Sequence, residues 1–351
     1  MDSFVARADM KGYICCCPEK TLSGDDVVTG KILIVDDESA ARWALETLLR
    51  REGFEVRDAS SGERALEECA AFCPDLILLD ILMPGLNGFE VCRRIKATPE
   101  TRLTPVVLIT GLSDTHDRIE GINAGADDFL SKPIDMNELL ARTRSLLRIK
   151  QVTDELESAE VVLESLALSI EARDPYTRGH CDRLAEMSVG LGLRLGLPAE
   201  ELKALRQGGI VHDIGKVMIP DAILLKPGPL TAEEVAVIRK HPEAGERICA
   251  PLKTFRLVLP IIRHHHEKFD GSGYPDGLRG EEIPLTARIL QLADVYDALT
   301  TDRVYRRAGP QEQALAIMER EAELHWWDRS LFDEFRTMIQ AGQKMAVKGA
   351  N

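Results

Sequence analysis

The chain has 351 residues, 44% of them hydrophobic, which is material for two compact domains, each with its own core. Its formal charge of -14 argues against a general nucleic-acid or acidic-membrane binder, because such proteins need a broad field that attracts phosphates. A small anionic substrate stays open, since metals and a few Lys or Arg side chains act locally while salt screens charge beyond about 8 Å.

Residues 1–29 carry an early acid and lack both a long apolar core and a signal-peptidase pattern, so they read as a disordered tail rather than a secretion signal. No apolar run approaches the ~20 residues of a membrane-spanning helix. The cysteines are Cys15, Cys16, Cys17, Cys69, Cys73, Cys92, Cys181 and Cys249, without the paired spacing of a zinc ribbon or a secreted disulfide scaffold, and a reducing cytoplasm fits them best. The run Cys15 to Cys17 could bind a soft metal, but adjacent side chains are expected to diverge and the sequence offers no second cluster to complete a tetrahedral site.

Over residues 30–150 the pattern becomes regular. The runs ILIV (Ile32 to Val35), LILL (Leu76 to Leu79) and VVLI (Val106 to Ile109) are short and continuously apolar, as strands covered on both faces require. FEVRDA and DFLSK supply two more strands, and amphipathic segments such as ESAARWALETLLRR and GFEVCRRIKAT lie between, which predicts an α/β doubly wound parallel sheet of five strands. Ligands of such sheets gather at the C-terminal ends of the strands. There stand Asp36 and Asp37, Asp80, Thr110, and Lys132 followed by Pro133. Converging carboxylates repel one another unless a hard cation such as Mg²⁺ sits between them; a reading as solvated caps explains one or two of the five positions, not all.

These residues resemble the receiver domain of two-component response regulators, through the pair Asp36 and Asp37, the segment DILMPG from Asp80 to Gly85, Thr110, Phe129 and the KP pair. The resemblance implies Mg²⁺ held by Asp36, Asp37 and Asp80, phosphorylation of Asp80 by a sensor histidine kinase, and a switch in which Thr110, Phe129 and Lys132 respond. No helix-turn-helix pattern follows, so no direct nucleic-acid contact is expected.

After Pro133 the chain runs without Gly or Pro for a long way and predicts one extended helix joining two domains. Within residues 145–172, Ile149, Val152, Leu156, Ala159, Leu163, Leu166 and Ile170 alternate in steps of three and four, the seam of a short coiled coil that predicts a homodimer. Packing of that stripe on its own domain is the alternative.

Residues 164–345 show helical spacing throughout and no strand pattern, so this domain is expected to be all-α. Thr231 with Glu234 forms a capping box opening the helix that leads to His241, and Pro242 limits that helix. Seven of the eight histidines lie between His180 and His325. Each alone reads most simply as core, yet His180, the pair His212 and Asp213, His241, the run His264 to His266, and Asp294 together form a mixed N and O set. Such a set suits Fe, Mn, Zn, Co or Ni, and an acid beside a histidine can bridge two metals that hold a hydroxide between them.

This second domain resembles the HD-GYP branch of the HD metal-dependent phosphohydrolases, through SIEARDPYTRGH, HDIGK, LLKPGPLT, KHP, HHEKFDGSGYP and ADVYDALTTDRVYR. The resemblance implies metal ligands His212, Asp213, His241, His265, His266 and Asp294, with Asp213 bridging, and two transition metals, Fe or Mn first. It implies phosphate contacts by Lys216, Arg303 and Arg306, and places His180, Gly273 and Tyr274 by the substrate; Gly271 and Gly273 suit close backbone approach, Tyr274 either stacks or simply packs, His264 precedes the matching HHE and is not expected to bind metal, and Glu267 is a candidate to orient a ligand histidine. Tyr176 stands where some relatives have a third-metal Glu, so two metals are expected, and Val304 replaces a frequent Pro. The implied reaction is hydrolysis of cyclic di-GMP to pGpG, with GMP as a possible further product, under the control of Asp80. Another cyclic dinucleotide or guanine nucleotide as substrate, or a weakly catalytic scaffold, are the alternatives.

Overall fold

The computed structural model describes the backbone of residues 29–111, 115–172, 179–301 and 308–349, without the side chains of 115–117 and 342–349. Cys15, Cys16, Cys17, Tyr176, Arg303, Val304 and Arg306 lie outside the described residues. The chain forms two compact units that divide between Thr153 and Asp154.

The first unit alternates β1 (Lys31–Val35), α1 (Ser39–Arg51), β2 (Glu55–Ala59), α2 (Gly62–Phe72), β3 (Leu76–Asp80), α3 (Gly88–Ala97), β4 (Val106–Thr110), α4 (Thr115–Asn123) and β5 (Asp128–Ser131). The strands are all parallel in the order β2-β1-β3-β4-β5. β3 and β4 are buried along their whole length because helices cover both faces, which is why they read as unbroken apolar runs. One core lies on each side: Leu33, Leu79, Val91 and Leu108 on one, Ile34, Leu49, Leu78 and Ile109 on the other. The order reverses at β1 and β3, so Val35 and Asp80 deliver Asp36 and Asp80 to the crevice where ligands of such sheets bind.

The expected long helix is present as α5 (Met136–Glu171), whose first part belongs to the first unit and whose last part belongs to the second. Its apolar stripe is divided. Ile149, Val152, Leu156 and Leu166 are exposed, but Leu163 and Ile170 pack on the core of the second unit, next to buried Ala167. The seam is therefore not one free face. A straight helix drifts about 20° per heptad relative to a 3.5-residue repeat, which carries the stripe onto the helix's own domain.

The second unit continues with α6 (His180–Arg194), α7 (Ala199–Val211), a 3₁₀ turn at Ile214–Met218, α8 (Asp221–Leu224), α9 (Ala232–Ile238), α10 (His241–Cys249), α11 (Leu259–His264), α12 (Leu285–Thr300), α13 (Gln311–Glu323) and α14 (Arg329–Gly349). No strand occurs among its described residues. Phe255, Ile261, Ile289, Leu290, Met318, Phe332 and Phe335 fill one core. Thr231 and Glu234 form the expected capping box, but α9 stops at Ile238. His241 opens a new helix, and Pro242 sits in its first turn, where a missing N–H costs nothing. No helix among the described residues is long and apolar enough to cross a membrane.

Candidate metal centres and the residues around them

In the first unit, Asp36 and Asp80 are almost fully buried and Asp37 is exposed, and each offers a carboxylate oxygen within 4.8 Å of the others. Lys132, just past β5, places Nζ 2.9 Å from Asp80 Oδ2 and 3.1 Å from Asp36 Oδ2. Its own N–H donates to the Thr110 carbonyl at 2.7 Å, so the last residue of β4 fixes where the ammonium enters. Burial pushes the Asp80 carboxyl above its usual range, and Lys132 offsets only part of that. Burial also works against the Lys132 charge, but Asp80 and Asp36 outweigh it and hold the ammonium above its ordinary value. Phe129 is half-buried against Gly121 of α4, where a Cβ would meet its ring at 2.5 Å.

In the second unit, helix ends bring the histidines together. His212 ends α7, Asp213 leads into the 3₁₀ turn, His241 opens α10, His265 and His266 follow α11, and Asp294 lies within α12. Asp213, His241, His265 and His266 offer ligand atoms within 4.8 Å of one another, and His180, His212 and Asp213 do so as a second group. Asp213 belongs to both. Asp294 joins neither group within that limit; its Oδ1 stands 3.6 Å from His180 Nε2.

Hydrogen bonds fix how three of the rings present themselves. The Nδ1 of His212, His241 and His265 lie 3.1, 2.8 and 2.8 Å from the carbonyls of Gly209, Ile238 and Ile262, each three residues earlier. A carbonyl only accepts, so each Nδ1 carries a proton and each Nε2 is the ring nitrogen turned to the cluster. Those nitrogens face one another and a carboxylate: His241 Nε2 is 3.3 Å from His265 Nε2 and 3.1 Å from Asp213 Oδ1. His212 Nε2 and Asp213 Oδ1 are buried without a hydrogen-bond partner. Acceptors crowded this way repel unless a cation lies among them, so the donor set fits divalent metals.

Electrostatics agree. Burial, then the neighbouring histidines, hold His265 well below its ordinary pKa, and burial with His241 lowers His266 to about 4. Both rings are neutral, as ligands must be. Burial also depresses His212, but the Asp213 carboxylate outweighs it and raises that ring. For Asp213 burial acts upward, yet the Lys216 ammonium and His212 hold it well below the usual carboxylate range. Lys216 Nζ forms an ion pair with Asp213 Oδ2.

One role differs from the sequence reading. Glu267 does not orient a histidine: it is fully buried and accepts the N–H groups of Asp276, Gly277 and Leu278 at 2.7, 3.1 and 3.1 Å, pinning the loop after the histidines. A Cβ on Gly273 would meet the Glu267 Cα at 2.4 Å, so this glycine serves close backbone packing. His264 turns away from the cluster, with Nδ1 3.4 Å from Asp276 Oδ2. The Tyr274 ring stacks on His266 at 4.9 Å between centroids.

Two residues were missed. Asp297 is buried, with Oδ2 2.7 Å from His180 Nδ1, and it also binds Arg183 through Nε at 2.5 Å and Nη2 at 3.0 Å. Burial alone would raise Asp297, but His180 and Arg183 bring it down to about 2, so the carboxylate is ionised and directs His180 Nε2 toward Asp294. The signal was the spacing: Asp297 lies three residues after Asp294, and Arg183 three after His180, one helical turn each.

Residues 32–144 match the response regulator receiver domain family, and residues 162–331 match the HD domain family. The cyclic di-GMP phosphodiesterase response regulator RpfG of Xanthomonas campestris pv. campestris is 38% identical over 310 residues, covering 82% of this chain and 82% of that protein. A cyclic di-GMP phosphodiesterase of Thermotoga maritima is 34% identical, covering 82% of this chain and 85% of that protein. Over 160 residues, 46% of this chain and 35% of that protein, a 3'3'-cGAMP-specific phosphodiesterase of Vibrio cholerae is 39% identical. With a doubly wound receiver carrying its acidic crevice and a helical domain carrying a histidine-rich one, the chain belongs to the response regulators that join a receiver domain to an HD domain, the family of the Xanthomonas regulator.

Proposed function

We propose that this response regulator hydrolyses cyclic di-GMP to linear pGpG, with GMP as a further product, under the control of phosphorylation at Asp80. The observation that carries the reading is Asp213, shared by two ligand groups and surrounded by buried histidine Nε2 atoms. His212, Asp213, His241, His265, His266 and Asp294 would hold two divalent transition metals, Fe or Mn first, with Zn, Co or Ni also suited to these donors. Bound there, such metals supply Lewis acidity and lower the pKa of water.

The protein's own groups set the rest. The Asp213 carboxylate stays ionised beside Lys216, whose ammonium stands at the cluster to meet a substrate phosphate. Asp297 and Arg183 hold His180 in one tautomer and orientation beside Asp294. Arg303 and Arg306 add guanidinium contacts to phosphates. In the receiver, Asp36, Asp37 and Asp80 would hold Mg²⁺, a sensor histidine kinase supplies the phosphoryl group, and Thr110, Phe129 and Lys132 respond to it. The exposed positions Ile149, Val152, Leu156 and Leu166 of α5 join two copies as a homodimer.

The 3'3'-cGAMP-specific relative supports a second reading, in which a different cyclic dinucleotide is the substrate. Purified protein loaded anaerobically with Fe²⁺ or Mn²⁺ and offered a panel of cyclic dinucleotides separates the two. The expected result is metal-dependent conversion of cyclic di-GMP to pGpG, reduced at least about a hundredfold in His212→Ala. No metal-dependent turnover of any of them would leave a scaffold role ahead. In the same assay a phosphoryl mimic should change the rate of the native protein and not that of Asp80→Ala.

A further inference from the structure

Arg239 closes α9 two residues before His241, with its backbone N–H bonded to the Val235 carbonyl at 2.9 Å. Its guanidinium carbon lies 5.1 Å from the centroid of the Tyr274 ring, the same ring that stacks on His266. Arg239 is exposed, and among the described residues its guanidinium takes part in no hydrogen bond or ion pair. Three arginines of the unit are committed instead: Arg183 to Asp297, Arg263 to Asp276 and Glu246, Arg288 to Asp328. A side chain with several rotatable bonds is thus held over an aromatic face while its planar fork of donors stays unused.

We propose that Arg239 is a specificity-determining residue that reads the guanine base of the substrate through its paired acceptors O6 and N7. The inference rests on the cyclic dinucleotide reading above and deepens it. The guanidinium stands one ring removed from His266, a candidate metal ligand. A phosphate at the ligand cluster would therefore have its sugar and base, rather than its own oxygens, within reach of Arg239. Two parallel N–H groups match O6 and N7 of guanine, whereas adenine offers a donor where guanine has O6. Tyr274 acts as the platform: it is already covered by His266 and Arg239, and orients the arginine more than it stacks on a base.

The test uses the full chain loaded with Mn²⁺ and the variants Arg239→Ala and Arg239→Lys. Rates are measured on cyclic di-GMP, on cyclic di-AMP and on bis(p-nitrophenyl) phosphate, a diester without a base. Guanine reading predicts that Arg239→Ala loses about 10- to 100-fold in kcat/KM on cyclic di-GMP and leaves the base-free diester unchanged. Arg239→Lys, which keeps the charge and lacks the fork, should restore little. An equal loss on both diesters with rescue by Lys would make Arg239 a phosphate contact and overturn the proposal, as would unchanged rates on both. Calorimetric binding of GMP against AMP supplies a readout independent of turnover: the native protein should prefer GMP, and Arg239→Ala should lose that preference. If the native protein cleaves no diester, the hydrolase reading falls, while an unchanged GMP preference in Arg239→Ala still overturns the role of Arg239.

Discussion

The two acidic centres of this protein solve the same problem in opposite ways. Each gathers charge or lone pairs into a buried crevice, at a cost unless something positive is present. In the receiver the fold supplies that charge itself, with Lys132 Nζ 2.9 Å from Asp80 and 3.1 Å from Asp36. In the helical domain Lys216 reaches one oxygen of Asp213, while the other oxygen and His212 Nε2 are left buried without hydrogen bonds. An internally compensated site can gain and lose a ligand reversibly, as a switch must. A site whose donors have no partner depends on an external cation, as a catalytic metal centre does.

The widest separation of the two should come from metal removal. Chelation should lower the melting temperature of the helical unit by about 5–10 °C, the effect of losing a ligand held at about a hundred times its Kd, and leave the receiver transition in place. Calorimetry resolving two transitions checks this, and equal shifts of both would break the contrast.

A smaller effect should follow from removing the receiver's own cation. Lys132→Ala leaves Asp36 and Asp80 facing each other and should destabilise that unit by about 1–2 kcal/mol at neutral pH, moderated because Lys132 is partly exposed. Added Mg²⁺ should restore most of the loss in urea titrations, because the ion replaces the ammonium. No rescue by Mg²⁺ would mean that the three acids do not bind it.

The smallest concerns a half-buried acid with no proposed task. Glu164 on α5 is pushed above its ordinary value of 4.5 by burial, with the Glu160 charge adding to it. A folded-state pKa above the unfolded one penalises the charged form, so this group's penalty is complete at neutral pH and fades as pH falls through the raised value to the unfolded one. Glu164→Gln should raise the melting temperature by about 1–2 °C at pH 7 and by nothing near pH 4. A gain that does not change with pH would point to packing rather than ionisation.

Much of this was legible in the sequence because the residues that carry chemistry also mark element ends. Asp36 and Asp80 close short apolar runs, and a buried parallel strand can hardly be written otherwise, while Lys132 follows the edge strand DFLS and was marked by the proline after it. His212, Asp213, His241, His265 and His266 stood out as strong ligands in spaced motifs. What could not be read was direction. The proton on each Nδ1 depends on a carbonyl one turn back, and whether the Nε2 atoms converge depends on how separate helices pack. Glu267 looked like a partner for histidine because it follows three of them, yet the tight loop after it offered three N–H groups closer at hand. The stripe on α5 satisfied a coiled-coil repeat on paper, but Leu163 and Ile170 found their own domain first. Arg239 carried no sequence signal, since only the folded chain brings α9 to Tyr274.

The central claim is that the unpartnered donors around Asp213 exist to bind metal. Elemental analysis of the purified full-length protein, joined to anomalous diffraction at the absorption edge of the metal found, tests it directly. The expected result is two transition-metal ions per chain among His212, Asp213, His241, His265, His266 and Asp294, both lost in Asp213→Ala. A folded protein without metal after reconstitution, or metal bound away from Asp213, would contradict it.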